Sequence, residues 1–219
     1  MILNKYLNDL FSIFHDDLSK LEKSKNPTLI LTSGKTGSGK TTLSKHLRNV
    51  FDCVYLQNDK LRVFLFPNPK LDKNEDELFF EIINSFVKEL LTKKYSVIWD
   101  GRFPKKSNRL EKYTYSKKLN INFVVIYLFV EESIRKDRKT KRQIFRQNNI
   151  DSTYYYNSNL EKLRESNYGS YEEPDDSEGK YLIKFDNSNE PFSTLKLNIL
   201  ISEIEKLTKI NAFEANIIN

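Results

Sequence analysis

With 219 residues, 38% hydrophobic and 30% charged, the chain has room for one buried core and is thin for two domains. Lys and Arg number 36 against 30 acidic residues; this surplus of +6 is scattered, so it reads first as lysine-rich usage, with a nucleic-acid partner as the alternative. One cysteine, Cys53, excludes an internal disulfide, and two distant histidines, His15 and His46, argue against a zinc site or a histidine-centred triad.

In chain order, Ile2, Leu3, Tyr6, Leu7, Leu10, Phe11, Phe14, Leu18 and Leu21 fall at helical spacing, which predicts one amphipathic helix over residues 2–23. Asn26-Pro27 ends it. The apolar run Thr28–Ser33 that follows, bounded by proline and glycine, suits a buried strand, and from Gly39 the period lengthens through Leu43, Leu47 and Val50 to that of a helix. Further strands are expected at Cys53–Leu56, Tyr95–Trp99, Phe123–Val130 and Tyr181–Phe185. Helices are expected at about 76–93, 105–119, 131–148, 152–166 and 193–208. Such alternation predicts an α/β fold of three layers, a mostly parallel sheet of about five strands covered on both faces, with a helical lid. The acidic, turn-rich stretch Glu172–Glu178 reads as a loop.

Between the first strand and its helix lies Gly34-Lys35-Thr36-Gly37-Ser38-Gly39-Lys40-Thr41, which fits the Walker A pattern G-x-x-x-x-G-K-[ST]. Glycines at these spacings let the backbone curl so that several amide N–H groups point at one anion, and the following helix adds its positive end. Lys40 is placed to reach β- and γ-phosphates, and the Thr41 hydroxyl to hold Mg²⁺; Thr42 completes the segment. ATP and Mg²⁺ are therefore the expected ligands.

A second Mg²⁺ ligand is expected from Asp100, which ends the apolar run Val97-Ile98-Trp99 at the carboxyl edge of its strand; the competing reading is a turn residue. At the same edge, Asp59 could accept a proton from an attacking hydroxyl, and Arg62, one helical turn on, could grip a substrate; Asn58 or Asp59 could equally be a helix N-cap. After the fourth strand, Arg135, Arg138, Arg142 and Arg146 recur at spacings of three and four, which puts four guanidinium groups on one helical face. They read either as a lid over a transferring phosphoryl group or as a solvated basic face. Tyr154-Tyr155-Tyr156 reads as packing rather than base stacking.

With these pieces in order, the chain resembles the P-loop kinases grouped around polynucleotide 5′-hydroxyl kinase, zeta toxin and the kinase-like AAA-type ATP-binding domains. The likeness runs from Thr28 to about Asp186. Gly34–Thr42 is similar to the family's phosphate loop, Asp59-Lys60-Leu61-Arg62 to its Asp-x-x-Arg segment, and Asp100-Gly101-Arg102-Phe103 with Arg109 to its strand-end Asp and following Arg. Arg138-Lys139-Thr140-Lys141-Arg142 resembles its Arg-x-x-x-Arg lid, and Tyr171-Glu172-Glu173-Pro174 the segment near which adenine is expected.

The resemblance implies one P-loop kinase domain over residues 1–219, with an N-terminal helix within 1–26, a lid region at 131–166 and a C-terminal helix within 191–210. It implies an ATP-dependent phosphotransferase acting on a hydroxyl: a polynucleotide 5′ end or, alternatively, a sugar, nucleoside or antibiotic. A non-catalytic ATP-binding regulator is the remaining alternative. Lys40, Asp59, Arg138 and Arg142 would be catalytic, and Arg62, Arg102 and Arg109 would contact the acceptor. Gly-Arg follows Asp100 where polynucleotide kinases tend to have Thr-Asn, so the acceptor contacts are expected to differ. No apolar run is long enough to span a membrane and the first residues lack a secretory pattern, so the expected location is the cytoplasm.

Overall fold

The computed structural model describes residues 2–70, 72–148, 169–188 and 193–208. Its centre is a five-stranded sheet: β1 (Thr28–Ser33), β2 (Cys53–Gln57), β3 (Ser96–Asp100), β4 (Asn122–Phe129) and β5 (Leu182–Asp186), in the order β2-β3-β1-β4-β5. Every pairing is parallel. The helices are α1 (Ile2–Ile13), α2 (His15–Lys20), α3 (Lys40–Val50), α4 (Asn58–Leu65), α5 (Lys73–Thr92), α6 (Lys106–Lys118), α7 (Glu132–Asn148) and α8 (Thr194–Thr208), with a 3₁₀ turn at Asp176–Tyr181.

The alternation of side chains along each strand splits the core in two. Leu29, Leu31, Val97, Trp99, Phe123 and Val125 face a layer built by α1, α4 and α5, while Ile30, Ile98, Val124, Ile126 and Leu128 face α3 and α8. Because both faces are covered, β1 is buried along its whole length, as its uninterrupted apolar run requires. On α5, Phe79, Ile82, Ile83, Phe86, Leu90 and Leu91 recur at helical spacing and are buried, and each such side chain contributes about 1.5–3 kcal/mol. The Asp72 side chain accepts from the Glu75 amide and so caps the helix.

Two local expectations are corrected. Instead of one helix over 2–23 there are two, broken at Phe14, whose ring turns inward onto Phe86 at 5.5 Å. Neither Asn58 nor Asp59 caps α4. The N-cap position is Gln57, without a side-chain bond, and the Asn58 Oδ1 accepts from Trp99 Nε1 at 2.7 Å. The helix expected at 152–166 and the tyrosines Tyr154, Tyr155 and Tyr156 lie outside the described residues. Among the described residues no helix is long and apolar enough to cross a membrane.

Candidate active site

Register explains why distant residues meet. Thr32 pairs with Asp100 and Gln57 pairs with Asp100, so β1, β3 and β2 end at one level, and the segments beginning at Ser33, Gly101 and Asn58 leave from the same edge. In a parallel sheet that edge is where ligands bind.

The loop from Gly34 to Gly39 is a tight backbone turn. Gly34, Gly37 and Gly39 have φ of 152°, 90° and 97°, values that side-chain-bearing residues rarely adopt. At Gly34 a Cβ would lie 2.5 Å from the Leu128 carbonyl oxygen, so glycine is required there by space as well. Two side chains brace the loop from outside. Asn187, just past β5, donates to the Ser38 carbonyl at 2.9 Å, and Arg135 in the first turn of α7 donates to the Thr36 carbonyl at 2.9 Å. Lys35 pairs with Glu173 at 2.7 Å. Lys40 folds back onto its own loop, donating to the Gly34 and Lys35 carbonyls at 2.8 and 3.0 Å. Thr42 lies on the exposed side of the first turn of α3.

Across the loop, Thr41 Oγ1 donates to Asp100 Oδ2 at 2.7 Å, and the Tyr55 hydroxyl donates to the same oxygen at 3.1 Å. Burial raises the Asp100 carboxyl above the ordinary aspartate range, against the pull of Thr41 and Lys40; the negative charge of Asp59 adds to the rise. Burial also lowers the Lys40 amine to about 8, opposed by Asp100 and Asp59 and reinforced by the positive charges of Arg102 and Arg142. Lys40, Asp59, Asp100, Arg102 and Arg142 therefore share one electrostatic neighbourhood. Asp59 sits half-buried in the first turn of α4, where an acidic residue is favoured by the helix dipole. Arg138, also half-buried, lies one turn along α7 from Arg135; the side chain of Arg146 is outside the described residues.

The structure corrects two expected acceptor contacts. Arg109 is fully buried. Its Nε and Nη2 donate to the two carboxylate oxygens of Glu178 at 2.8 and 2.6 Å, and its Nη1 donates to the Phe103 carbonyl at 2.9 Å. It has no surface with which to touch an acceptor. Arg62, 9% exposed, pairs with Glu75 at 3.2 Å and with Asp76, and its guanidinium lies 4.2 Å from the centre of the Phe79 ring. The α4–α5 joint therefore takes up the guanidinium. Arg102 differs from both: it is half-buried, within 5.9 Å of the Tyr171 ring centre, and acts on Lys40.

The segment Tyr171–Pro174, near which the resemblance implies adenine, packs on Ser33 at the end of β1, on Tyr127 of β4 and on the residues that follow β3. The Tyr171 hydroxyl meets Ser33 Oγ at 2.8 Å, and Glu172 accepts from Lys105 Nζ and the Lys106 amide, both at 2.9 Å. Burial pushes the Tyr171 phenol up to about 12. Tyr55 and Asn187 are absent from the residues singled out by sequence. Of these, Asn187 had a usable signal, because it follows the last strand at the edge where Asp100 was found.

Comparison with known proteins agrees with this architecture. Residues 29–154 match a protein family described as an AAA domain. No curated protein matches the sequence significantly. Among solved structures, Kti12 of Chaetomium thermophilum, in complex with ADP-AlF3, is similar at a TM-score of 0.59 and 20% identity, over 82% of this chain and 98% of that one. The APS kinase CysC of Mycobacterium tuberculosis, in complex with AMPPNP and APS, is similar at 0.58 and 12%, over 83% and 99%. A chain of the Pnkp1/Rnl/Hen1 RNA repair complex is similar at 0.51 and 18%, over 73% of this chain and 48% of that one. At these identities the likeness is one of fold. A five-stranded parallel sheet, a tight glycine loop between β1 and α3 and a family match over more than half of the sequence lead to one assignment: the chain belongs to the AAA domain family and has the α/β fold of P-loop kinases.

Proposed function

We propose that the chain is an ATP-dependent phosphotransferase that moves the γ-phosphoryl group to a hydroxyl acceptor. The observation that carries this reading is the 2.7 Å contact of Thr41 with Asp100 at the mouth of a loop whose lysine shares its electrostatic neighbourhood with Asp59. Magnesium fits the residues present. A hydroxyl and a carboxylate in contact are the hard oxygen donors this ion takes from protein, and the buried, destabilised charge of Asp100 calls for a cation. When bound with nucleotide, it neutralises charge on the β- and γ-phosphate oxygens.

The rest is the work of the chain's own groups. Loop amides and Lys40 hold the β- and γ-phosphates in one orientation. Asp59 takes the proton of the acceptor hydroxyl as that oxygen bonds to the γ-phosphorus and the bond to the bridging oxygen breaks, which leaves ADP. Arg138 and Arg142 close from α7 over the oxygens that gain charge. Arg102 lines the acceptor side.

A polynucleotide 5′-hydroxyl end is the first acceptor to test, on the strength of the sequence resemblance and the net charge of +6. A small alcohol is the second: the contacts of Tyr171–Pro174 with Ser33 and Lys105, next to the residues that follow Asp100, favour reading this segment as narrowing the acceptor side and not as flanking adenine, as the resemblance implies. A screen of γ-labelled ATP against 5′-hydroxyl RNA and DNA, nucleosides and sugars tests the proposal. The expected result is label transfer to one class, lost in Lys40→Ala and Asp59→Ala. Nucleotide binding without acceptor-dependent transfer across the screen would leave only a nucleotide-binding regulator.

A further inference from the structure

We infer that Arg109 and Glu178 are a positioning pair that sets the acceptor-side wall of the site, a role that rests on the reading of that side given above. The wall has two strips. One is Gly101-Arg102-Phe103, immediately after the metal-ligand candidate Asp100; the other is Tyr171–Asp175, immediately before the 3₁₀ turn that contains Glu178. A single guanidinium ties the first strip to the 3₁₀ turn that follows the second. Its Nε and Nη2 grip the Glu178 carboxylate, and its Nη1 holds the Phe103 carbonyl, with the Arg109 and Glu178 side chains 0% and 1% exposed.

The Phe103 carbonyl needs holding. Phe103 has φ of 43°, a left-handed conformation that costs a residue with a side chain on the order of 1–3 kcal/mol unless its surroundings impose it. Gly101 makes room for the result, since a Cβ there would come within 2.6 Å of the Phe103 ring. In this conformation the ring enters the core edge-on to Trp99 at 5.1 Å, and the carbonyls of Arg102 and Phe103 accept from Ser33 Oγ at 3.1 and 3.4 Å. The Arg102 guanidinium thereby lies within 5.9 Å of the Tyr171 ring centre. The second strip is fastened in the same way, with the Glu172 amide donating to the Pro104 carbonyl at 2.8 Å. Only a planar fork can bond a carboxylate with two nitrogens and a carbonyl with a third, so lysine cannot replace Arg109 here.

The chain has a single tryptophan, Trp99, packed against Phe103, so its emission reports the position of the wall without any acceptor. The test compares wild type with Arg109→Lys and with the paired apolar replacement Arg109→Met/Glu178→Met, which removes both buried charges together so that neither is left alone. Magnesium–AMPPNP titration and Trp99 emission with acrylamide quenching are measured on each folded variant. The expected result is nucleotide affinity within about threefold of wild type in all variants, with Trp99 quenching raised about twofold or more in both. For any acceptor that wild type phosphorylates, the acceptor KM rises about tenfold while the ATP KM stays within about threefold. Folded variants whose Trp99 quenching equals that of wild type would overturn the inference and reduce the pair to a stability element. Loss of nucleotide binding by wild type would instead sink the phosphotransferase reading, so the two failures are distinct.

Discussion

At the scale of single residues the site combines strong local signals with pairings that no local signal carries. That Lys40 and Asp59 stand near one edge of the sheet was legible because each lies at a fixed offset from a strand end, one in a glycine loop and one at a helix start. Replacing Lys40 with Ala is expected to weaken binding of triphosphate and to lower turnover by about 10²-fold or more, measured by calorimetry and labelled-phosphate transfer. Asp59→Ala should lower kcat by about 10²–10⁴-fold while leaving nucleotide affinity near wild type, since a general base acts on the acceptor. Arg62 and Arg109 look like substrate arginines in the sequence. Their partners Asp76 and Glu178 stand 14 and 69 positions away, at offsets no rule of local spacing picks out. A guanidinium side chain looks the same in sequence whether it faces a phosphate or a buried carboxylate; only the fold distinguishes them.

Asp100 gives a stability prediction of definite sign. Its carboxyl is held above the ordinary value of 3.8 by burial, so below that value both folded and unfolded chains carry it neutral and nothing is lost. As pH rises the unfolded chain releases the proton first, and folding becomes costlier until the folded carboxyl has also ionised. Asp100→Asn should therefore match wild type in acid and exceed it near neutral pH in the nucleotide-free state, with Tm higher by about 2–4 °C for each kcal/mol recovered. Thermal melts from pH 4 to 8 check this. A constant gap over that range would assign the difference to packing instead of charge. The same variant is expected to lose magnesium-dependent transfer.

At the scale of elements, the phosphate loop is held by its neighbours as much as by its own glycines. Gly34 lies against the backbone of β4, and Gly37 lies under Arg135, whose carbonyl oxygen would be 3.0 Å from an added Cβ. Gly34→Ala is expected to cost about 1–3 kcal/mol in a urea melt and to abolish nucleotide binding, because a backbone oxygen cannot give way as a flexible side chain can. The start of α7 is tied to the loop through Arg135 and Thr36, with Glu132 orienting the arginine at 2.7 Å. Arg135→Ala should therefore raise the KM for ATP by about fivefold, and thermal stability should change little, since the bond made to the carbonyl is partly exposed. Helix α5 was legible from its apolar stripe. The break at Phe14 was not, because an uninterrupted apolar period gives no sign that the chain stops being helical for one residue.

At the scale of the whole molecule, alternating strands and helices predicted a parallel sheet with both faces covered, and five strands were expected and found. Strand order was beyond the pattern, since buried parallel strands all read as similar apolar runs and nothing local says that β3 inserts between β1 and β2. That insertion sets the layout of the candidate site. It brings Asp100 level with Thr32, beside the phosphate loop, and leaves Asp59 one strand further out, where an acceptor would approach. It also places β4 and β5 on the opposite side, where Asn187 braces the loop at Ser38. A ligand bound only to the folded state stabilises it by mass action, by about 2.7 kcal/mol at a hundredfold excess over Kd, so magnesium with ATP should raise Tm in proportion to the logarithm of its concentration.

The central claim, that this loop holds a nucleotide triphosphate, is tested most directly by isothermal titration of purified protein with AMPPNP and magnesium, with Lys40→Ala measured in parallel. Saturable uptake at one site per chain is predicted for wild type, with little or none in the variant. Above pH 8 binding should also take up a proton, because the phosphates recharge an amine that burial has lowered to about 8. Absence of uptake by wild type, or equal uptake by both proteins, would contradict the account.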